Sequence, residues 1–255
     1  MIRDFTGRVA LVTGGSDGIG FATAKLLLER GAIVAICARR QEKLDEAVAA
    51  LGSHGTFEAH QLDVTDEVAY NALIEDLAKR HGRLDMLVNN AMSVHYAPLT
   101  QLTMDHWRKD FAVNADAVFT GTRAAMRIML KQGAGSIVNI ASTNGLKAAP
   151  YMTSYSASKA ALIHFTAVAA MEGAPYGVRV NTIVPGMIMT AATEDYLAKA
   201  GEHGQKTMDA IPMKRGANPV EVAKAIAFML SDEASYITGV ALPVDGGKAV
   251  QLYLP

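Results

Sequence analysis

A tyrosine and a lysine four residues apart, Tyr155 and Lys159, have the types and spacing needed for acid–base chemistry. From Tyr155 to Met171 the only formally charged side chain is Lys159, and burying an unpartnered ammonium group is costly. On a helix, side chains at i and i+4 lie on one face. A nearby cation favours the phenolate and lowers the pKa of a tyrosine, whose usual value is about 10. The spacing therefore predicts an acid–base pair, whereas a tyrosine alone is more often a packed aromatic.

The glycine-rich stretch "TGGSDGIG" at 13–20 follows an apolar run and precedes a helical pattern. Gly14 allows a tight turn, while Gly18 and Gly20 let the backbone approach a pyrophosphate and let the helix lie close to the strand. The free N–H groups and partial positive charge of the helix N-terminus favour phosphate binding. In this strand–turn–helix context the motif predicts a dinucleotide site rather than a glycine turn without a ligand.

The end of the second apolar run, "CARRQEK", bears on the choice of dinucleotide. Ala38 occupies the position where an acidic residue often binds the ribose hydroxyls. Arg39 and Arg40 follow it, and arginine suits the 2′-phosphate of NADP. Two alternatives remain: both arginines could be solvated at a helix start, and Asp17 in the glycine loop could repel a phosphate. We predict NADP(H) in preference to NAD(H).

The elements that must position these residues alternate along the chain. Apolar, β-branched runs bounded by glycine, proline or polar residues are typical of buried strands. Between them lie helical patterns, the later ones at 105–131, 151–173 and 218–231. The alternation predicts an α/β fold, a Rossmann-type doubly wound parallel sheet of about seven strands with helices on both faces, in one domain over 1–255. The apolar runs are 8–14, 32–38, 56–63, 84–90, 135–142, 178–186 and 237–247.

Residues 186–217 interrupt this alternation with an irregular, methionine-rich connection. A long connection in a compact domain is usually a functional loop, so we predict a substrate lid here. The alternative is a segment that packs on a neighbouring subunit.

Composition excludes several classes of function. The net charge is −1, which provides no basic field for nucleic acid or an anionic membrane. No run approaches the roughly 18 apolar residues of a membrane helix. The single cysteine, Cys37, fits a reducing compartment, and we expect a cytoplasmic protein. The scattered histidines indicate no metal site, and the absence of a GxSxG elbow argues against a hydrolase.

Taken together, the motifs resemble those of the short-chain dehydrogenase/reductase family in its single-domain branch. The resemblance covers essentially the whole chain, and it implies a seven-stranded Rossmann-type fold, NAD(P)-dependent oxidation of alcohols or reduction of carbonyls, and a homotetramer. The motifs that carry it are "TGGSDGIG" (13–20), "LDV" (62–64), "NNA" (89–91), Asn114, Ser142, "YSASK" (155–159), "PG" (185–186) and "VDGG" (244–247).

The resemblance implies a catalytic group of Asn114, Ser142, Tyr155 and Lys159. Tyr155 would be the general acid and base, and Lys159 would also reach the nicotinamide ribose. Ser142 can donate a hydrogen bond to a carbonyl oxygen without adding charge. The Asn114 amide could hold a water leading to Lys159.

The resemblance also implies where the cofactor lies. Asp63 and Val64 would lie near the adenine, Asn89 would hold the cofactor and the neighbouring strand, and Thr190 would bind the carboxamide. Pro185 and Gly186 would flank the nicotinamide. The full candidate set for cofactor binding is Gly14, Ser16, Asp17, Gly18, Ile19, Gly20, Arg39, Arg40, Asp63, Val64, Asn89, Ala91, Tyr155, Lys159, Pro185, Gly186, Ile188 and Thr190.

The chain departs from the family pattern at Met92, where glycine is usual after "NNA". This flexible side chain could fill part of the substrate pocket or turn away from it. The candidate pocket residues are mostly apolar, so we predict a hydrophobic ketone or secondary alcohol as substrate, for example a cyclic or aromatic one. The alternatives are reduction of a 3-oxoacyl carrier protein and a non-catalytic dinucleotide sensor or scaffold. We interpret His95 as a surface histidine. The pocket candidates are Met92, Val94, Tyr96, Thr143, Leu146, Tyr151, Met187 and Met189.

Overall fold

Seven parallel strands form one sheet in the computed structural model, which describes residues 4–251 apart from the side chains of Ala192 and His203. The strand order is β3-β2-β1-β4-β5-β6-β7, and every neighbouring pair is parallel. The predicted fold class is therefore confirmed. The strands are β1 (Val9–Thr13), β2 (Ile33–Ala38), β3 (Phe57–Gln61), β4 (Met86–Asn89), β5 (Gly135–Ile140), β6 (Val178–Pro185) and β7 (Ala241–Val244).

Helices cover both faces of the sheet, and a buried apolar cluster lies on each side. This arrangement explains why strands such as β1 are apolar at every position, since a strand buried on both faces has no side for water. The helices are α1 (Gly18–Glu29), α2 (Gln41–Leu51), α3 (Glu67–His81), α4 (Met104–Phe111), α5 (Ala117–Gln132), α6 (Thr153–Gly173), α7 (Ala191–Ala200), α8 (Glu202–Asp209) and α9 (Pro219–Leu230).

The order in which successive strands are added reverses at β1, which pairs with β2 on one side and with β4 on the other. Ligands of open α/β sheets bind at the carboxyl ends of the strands at such a switch point. The glycine loop follows β1 here, and the loop of residues 90–98 follows β4. We call residues 90–98 the substrate loop, because it contains three of the pocket candidates.

Two regions differ from the sequence prediction. The helix expected over 105–131 is divided by a π-helical segment, Ala112–Asp116, between α4 and α5. The connection expected to be irregular over 186–217 contains α7 and α8. Its ends are joined, because the N–H of Met189 donates to the carbonyl of Ala217 at 2.8 Å and that of Ala217 donates to the carbonyl of Met187 at 2.9 Å. The segment predicted to be a lid therefore contains two helices, and its two ends are hydrogen-bonded to each other.

Over residues 4–251, none of the helices combines the length and the apolar character needed to cross a lipid bilayer.

Candidate active site

Lys159 lies inside the molecule on α6, with only 2% of its surface exposed. Its Nζ donates a hydrogen bond of 2.7 Å to the carbonyl of Ile140, the last residue of β5, and lies 5.8 Å from the centre of the Tyr155 ring. Burial lowers the pKa of Lys159 to about 7. Lys159, the only formally charged residue between Tyr155 and Met171, therefore has a partner at the end of β5, and the ammonium gains and loses its proton near neutrality.

Tyr155 is also buried, with 7% of its surface exposed. Burial raises its pKa above the usual value, a hydrogen bond with Ser142 partly offsets the rise, and the charges of Tyr96 and Asp110 add to it. The sequence predicts a pKa below the usual value, whereas in the structure the pKa of Tyr155 is raised. The physical reason is that burial, the largest effect on this phenol, disfavours its charged form.

Ser142 comes two residues after β5, at the start of a short 3₁₀ turn, Thr143–Gly145. Its hydroxyl accepts a hydrogen bond of 3.2 Å from the N–H of Asn144 and remains within reach of Tyr155. Gly145 lets this turn approach α6, because a Cβ at that position would lie 2.9 Å from the carbonyl carbon of Lys159. The turn and the helix thus bring Ser142 and Tyr155 together.

Asn114 lies in the π-helical segment and is fully buried. Its Nδ2 donates to the carbonyl of Ser93 at 2.8 Å and to Oγ of Ser158 at 3.0 Å, and its Oδ1 accepts from the N–H of Ser93 at 3.0 Å. Both amide hydrogens are therefore occupied. The side chain fastens the substrate loop to the π segment and α6, so a water relay through Asn114 would have to use its remaining acceptor capacity or its backbone.

The glycine loop has the geometry that a pyrophosphate requires. Gly14 and Gly18 have positive φ angles of 61° and 51°, which side-chain-bearing residues rarely adopt. A Cβ on Gly20 would lie 2.2 Å from the carbonyl oxygen of Gly14, so any side chain there would break the turn. Asn90, which the sequence reasoning did not single out, fixes the loop by donating to the carbonyls of Thr13 and Gly14 at 2.9 and 3.1 Å. The residues present therefore fit a dinucleotide.

The other predicted cofactor residues surround this loop. A Cβ on Gly18 would lie 3.2 Å from Cγ2 of Thr190, so the N-terminus of α7 faces the glycine loop. Pro185 ends β6, and the N–H of Gly186 donates to the carbonyl of Val244. The N–H of Ala91 donates to Oγ1 of Thr13 at 3.0 Å. The structure thus brings these residues to the same end of the sheet.

Asn89 holds neighbouring elements together from a buried position. Its Nδ2 donates to Oδ1 of Asn139 on β5 at 2.8 Å and to Oγ1 of Thr122 at 3.2 Å, and its Oδ1 accepts from the hydroxyl of Tyr70 at 2.9 Å. These hydrogen bonds hold β4 to β5, as expected for Asn89. Both amide hydrogens of Asn89 are used in them, so the side chain has no donor left for a cofactor.

Charged residues at the end of β2 lie close to the glycine loop. Nη2 of Arg40 is 3.6 Å from Oδ2 of Asp17, whose other oxygen caps α1 by accepting from the N–H of Gly18 at 2.7 Å. Arg40 therefore partly offsets the negative charge of Asp17, which could otherwise repel a phosphate. The side chain of Arg39 is exposed, and within residues 4–251 it forms no ion pair.

The pocket candidates form an apolar rim rather than a closed cavity. Met92, Tyr96, Leu146 and Tyr151 are exposed, and the N–H of Ala97 donates to the carbonyl of Tyr151 at 3.0 Å, which joins the substrate loop to the chain before α6. A cavity also lies at the end of β7, but Met187 is the only pocket candidate among its lining residues. The eight candidates thus do not share one enclosed pocket.

A buried carboxylate, which the sequence reasoning missed, lies beside Tyr155. Asp110 on α4 is fully buried and accepts hydrogen bonds from Oγ of Ser93 at 2.8 Å, Nδ1 of His95 at 2.7 Å and Oγ of Ser154 at 2.5 Å. Burial alone would raise its pKa, but the bonds from Ser154, His95 and Ser93 hold the pKa below its usual value. The interpretation of His95 as a surface histidine is incomplete, since its ring is anchored from the inside.

Known proteins resemble this chain over nearly its whole length. A family model described as enoyl-(acyl carrier protein) reductase matches residues 14–249. The chain is 39% identical over 245 residues to a 3-oxoacyl-[acyl-carrier-protein] reductase of Thermotoga maritima, covering 96% of this chain and 98% of that protein. It is 38% identical over 242 residues to a cyclopentanol dehydrogenase of a Comamonas species, covering 94% and 96%. The solved structure of an NAD+-bound xylitol dehydrogenase superposes with a TM-score of 0.89 at 33% identity, covering 95% of this chain and 99% of that one.

Proposed function

The chain belongs to the short-chain dehydrogenase/reductase family, and from that premise we propose that it is an NADPH-preferring reductase of hydrophobic ketones. It is an NAD(P)-dependent oxidoreductase that interconverts alcohols and carbonyls, as its relatives do, so a non-catalytic sensor is set aside. The observation that carries the finer proposal is the buried group of Ser142, Tyr155 and Lys159 beside the glycine loop.

The roles of the catalytic side chains follow from their protonation. When bound, the nicotinamide cofactor supplies hydride to the carbonyl carbon of the substrate. Tyr155 donates its hydroxyl proton to the carbonyl oxygen, and its raised pKa keeps it protonated at neutral pH. Ser142 donates a hydrogen bond to the same oxygen and stabilises the charge that develops there. The protonated phenol is the form that reduction requires.

Lys159 has a pKa of about 7, so it can carry a proton to Tyr155 near neutrality. Its hydrogen bond to Ile140 fixes the ammonium in place during this step. Asn114 holds the substrate loop against the same helix through Ser93 and Ser158.

The preference for NADPH rests on Arg39 and Arg40. The 2′-phosphate is a dianion that guanidinium groups can bind with charge-assisted hydrogen bonds. Arg39 is exposed at the end of β2, while Arg40 offsets the charge of Asp17. We therefore assign the phosphate contact chiefly to Arg39.

The substrate class rests on the apolar rim. Met92, Tyr96 and Tyr151 can cover an apolar ring or chain, and the pocket candidates include no cation for a carboxylate or phosphate. The similarity to cyclopentanol dehydrogenase favours a cyclic ketone. The second candidate is reduction of a 3-oxoacyl carrier protein, which the similarity to the Thermotoga maritima enzyme favours.

A substrate panel tests the proposal. Purified protein is assayed with NADPH and NADH against cyclic ketones, aryl ketones and a 3-oxoacyl thioester, and Tyr155→Phe is assayed beside the wild type. We expect turnover of cyclic or aryl ketones with NADPH and its loss in Tyr155→Phe with cofactor affinity retained. Activity confined to the thioester would support the second candidate, and a Tyr155→Phe variant that keeps its activity would remove Tyr155 from the mechanism.

Three further parts of the proposal concern the whole chain. We propose a homotetramer, a closing movement of residues 186–217 over the substrate, and a cytoplasmic location. The joined ends of that segment at Met187, Met189 and Ala217 would let α7 and α8 move as one unit while its base stays fixed.

A further inference from the structure

The carboxylate of Asp110 connects three parts of the molecule that surround the reacting centre. It extends from α4 and is 0% exposed. Ser93 and His95 bind it from the substrate loop, and Ser154 binds it from α6, directly before Tyr155. A second bond reaches it from the backbone N–H of His95 at 3.3 Å. An ionised carboxylate in such a place is stabilised only by the hydrogen bonds and charges around it.

His95 is the one partner of Asp110 that can change its charge near neutral pH. An ionised carboxylate can only accept, so Nδ1 of His95 carries the hydrogen of the 2.7 Å bond. The ring stacks on that of His106, with centroids 4.4 Å apart, and the side chain is 29% exposed. Within the described residues Nε2 makes no hydrogen bond, so a proton from solvent can bind there. His95 would then become a cation in contact with Asp110.

The charge of Asp110 acts on the phenol of Tyr155. Ser154, which donates to Asp110, directly precedes Tyr155 on α6, and the negative charge of Asp110 contributes to the raised pKa of Tyr155. A protonated His95 would offset that charge, whereas a neutral His95 leaves it uncompensated.

The other charged and titratable groups around the pair do not replace His95. On α4, Asp105 and Lys109 are exposed and pair with each other at 2.8 Å, and His106 stacks on His95 without contacting the carboxylate. On α6, Lys159 donates to Ile140. In the substrate loop, Tyr96 also raises the pKa of Tyr155, but burial raises the pKa of Tyr96 itself, so Tyr96 carries no charge at neutral pH.

We propose that Asp110 and His95 form a charge-coupled pair that fixes the substrate loop against α6 and links the protonation of His95 to that of Tyr155. Both are positioning residues, and the inference rests on the proposed function because it assigns their effect to the chemistry of Tyr155. While His95 is neutral, the uncompensated carboxylate makes Tyr155 hold its proton to higher pH. When His95 gains a proton, Tyr155 releases its own more easily.

The pH dependence of kcat/KM for ketone reduction tests the coupling. Activity should fall on the alkaline side as Tyr155 loses its proton. Asp110→Asn removes the charge, so we expect this alkaline limb to move to lower pH by about half a unit to one unit. Asp105→Asn removes the same charge from the exposed side of the same helix and should leave the limb in place. A purely structural role for Asp110 would lower kcat or raise KM without moving the limb.

His95→Gln provides a second test that does not depend on the stability of Asp110→Asn. Glutamine can still donate to Asp110 but cannot gain a proton. We expect the alkaline limb to stay at its wild-type position, and the profile at lower pH to lose the change that protonation of His95 produces. A profile identical to that of the wild type throughout would overturn the coupling.

A readout without turnover separates this inference from the proposed function. The ¹³C resonance of labelled Tyr155, identified by its absence in Tyr155→Phe, is titrated in the wild type and in both variants. A lower titration midpoint in Asp110→Asn supports the coupling even if no ketone is turned over, in which case the proposed function alone fails. Ketone turnover with an unmoved midpoint leaves the proposed function standing and overturns the coupling.

Discussion

At the scale of single residues, the buried position of Lys159 is unfavourable for a positive charge. The side chain is 2% exposed and its pKa is lowered from 10.5 to about 7. The unfolded chain therefore binds this proton more tightly than the folded protein does. By linkage, the buried lysine lowers the free energy of unfolding fully below about pH 7, and this penalty fades as the pH rises toward 10.5.

Lys159→Met should consequently abolish turnover while making the protein more stable at neutral pH. We expect the stability advantage of the variant over the wild type to shrink by on the order of 3 kcal/mol between about pH 7 and about pH 10. Urea unfolding at several pH values measures it. Lys25→Met, at an exposed position on α1, serves as the control and should show no such trend. A constant difference across this pH range would contradict the lowered pKa.

Arg39 provides a test of cofactor preference. Hydrogen bonds to charged groups contribute about 1.5–3 kcal/mol, so Arg39→Ser should raise KM for NADPH by about tenfold to a hundredfold and leave KM for NADH nearly unchanged. Steady-state kinetics with both cofactors measures the effect. Lys43→Ser, which changes a half-buried basic residue on α2 that pairs with Glu46, is the matched control. Equal losses with both cofactors would mean that Arg39 does not bind the phosphate.

These residues also show how much of the site the sequence alone predicts. The sequence predicts the pair of Tyr155 and Lys159 and the glycine loop, because both are local patterns of residues. It does not predict a role for Asp110, because this residue lies in the charged stretch "MDHWRKD" and only the packing of three elements buries it. The direction of the pKa shift of Tyr155 was missed for the same reason, because burial is a tertiary property.

At the scale of elements, Gly145 sets the distance between the Ser142 turn and α6. Its backbone needs no positive φ, so alanine would introduce no backbone strain there, only a Cβ 2.9 Å from the carbonyl carbon of Lys159. We expect Gly145→Ala to push the turn away from α6 and to reduce kcat by about tenfold to a hundredfold, since a displacement of this size weakens catalysis strongly.

Kinetics and thermal unfolding together check the Gly145→Ala prediction. The expected result is a loss in kcat with KM for the cofactor unchanged, because the glycine loop is not involved. A loss of stability with kcat preserved would show that the turn yields without moving Ser142.

The elements that the sequence did not predict are those fixed by long-range contacts. The π-helical segment at Ala112–Asp116 has ordinary helical composition, and Asn114 within it is held by the backbone of Ser93. Residues 186–217 form α7 and α8, although their mixed composition resembles a loop. By contrast, the seven strands were predictable, because each is a short apolar run bounded by turn residues.

At the scale of the whole molecule, α5 and α6 present apolar side chains to the surface. Phe119 on α5 packs edge-on against Phe165 on α6, and Val168 and Met171 continue this surface along α6. Exposed apolar side chains on two neighbouring helices, rather than scattered singly, are typical of an interaction surface. The proposed homotetramer would cover them.

Met171→Glu tests this assembly, because the side chain is 80% exposed in the single chain and its replacement should leave the fold intact. A charge placed in a closed interface would have to be buried unpaired, which is costly, and a symmetric assembly repeats that cost at every copy of the contact. We expect light scattering to show a tetramer for the wild type and a smaller species for Met171→Glu. Val68→Glu on α3 changes a side chain of equal 80% exposure and should leave the mass unchanged. A monomeric wild type, or a tetramer that tolerates Met171→Glu, would remove α6 from the assembly surface.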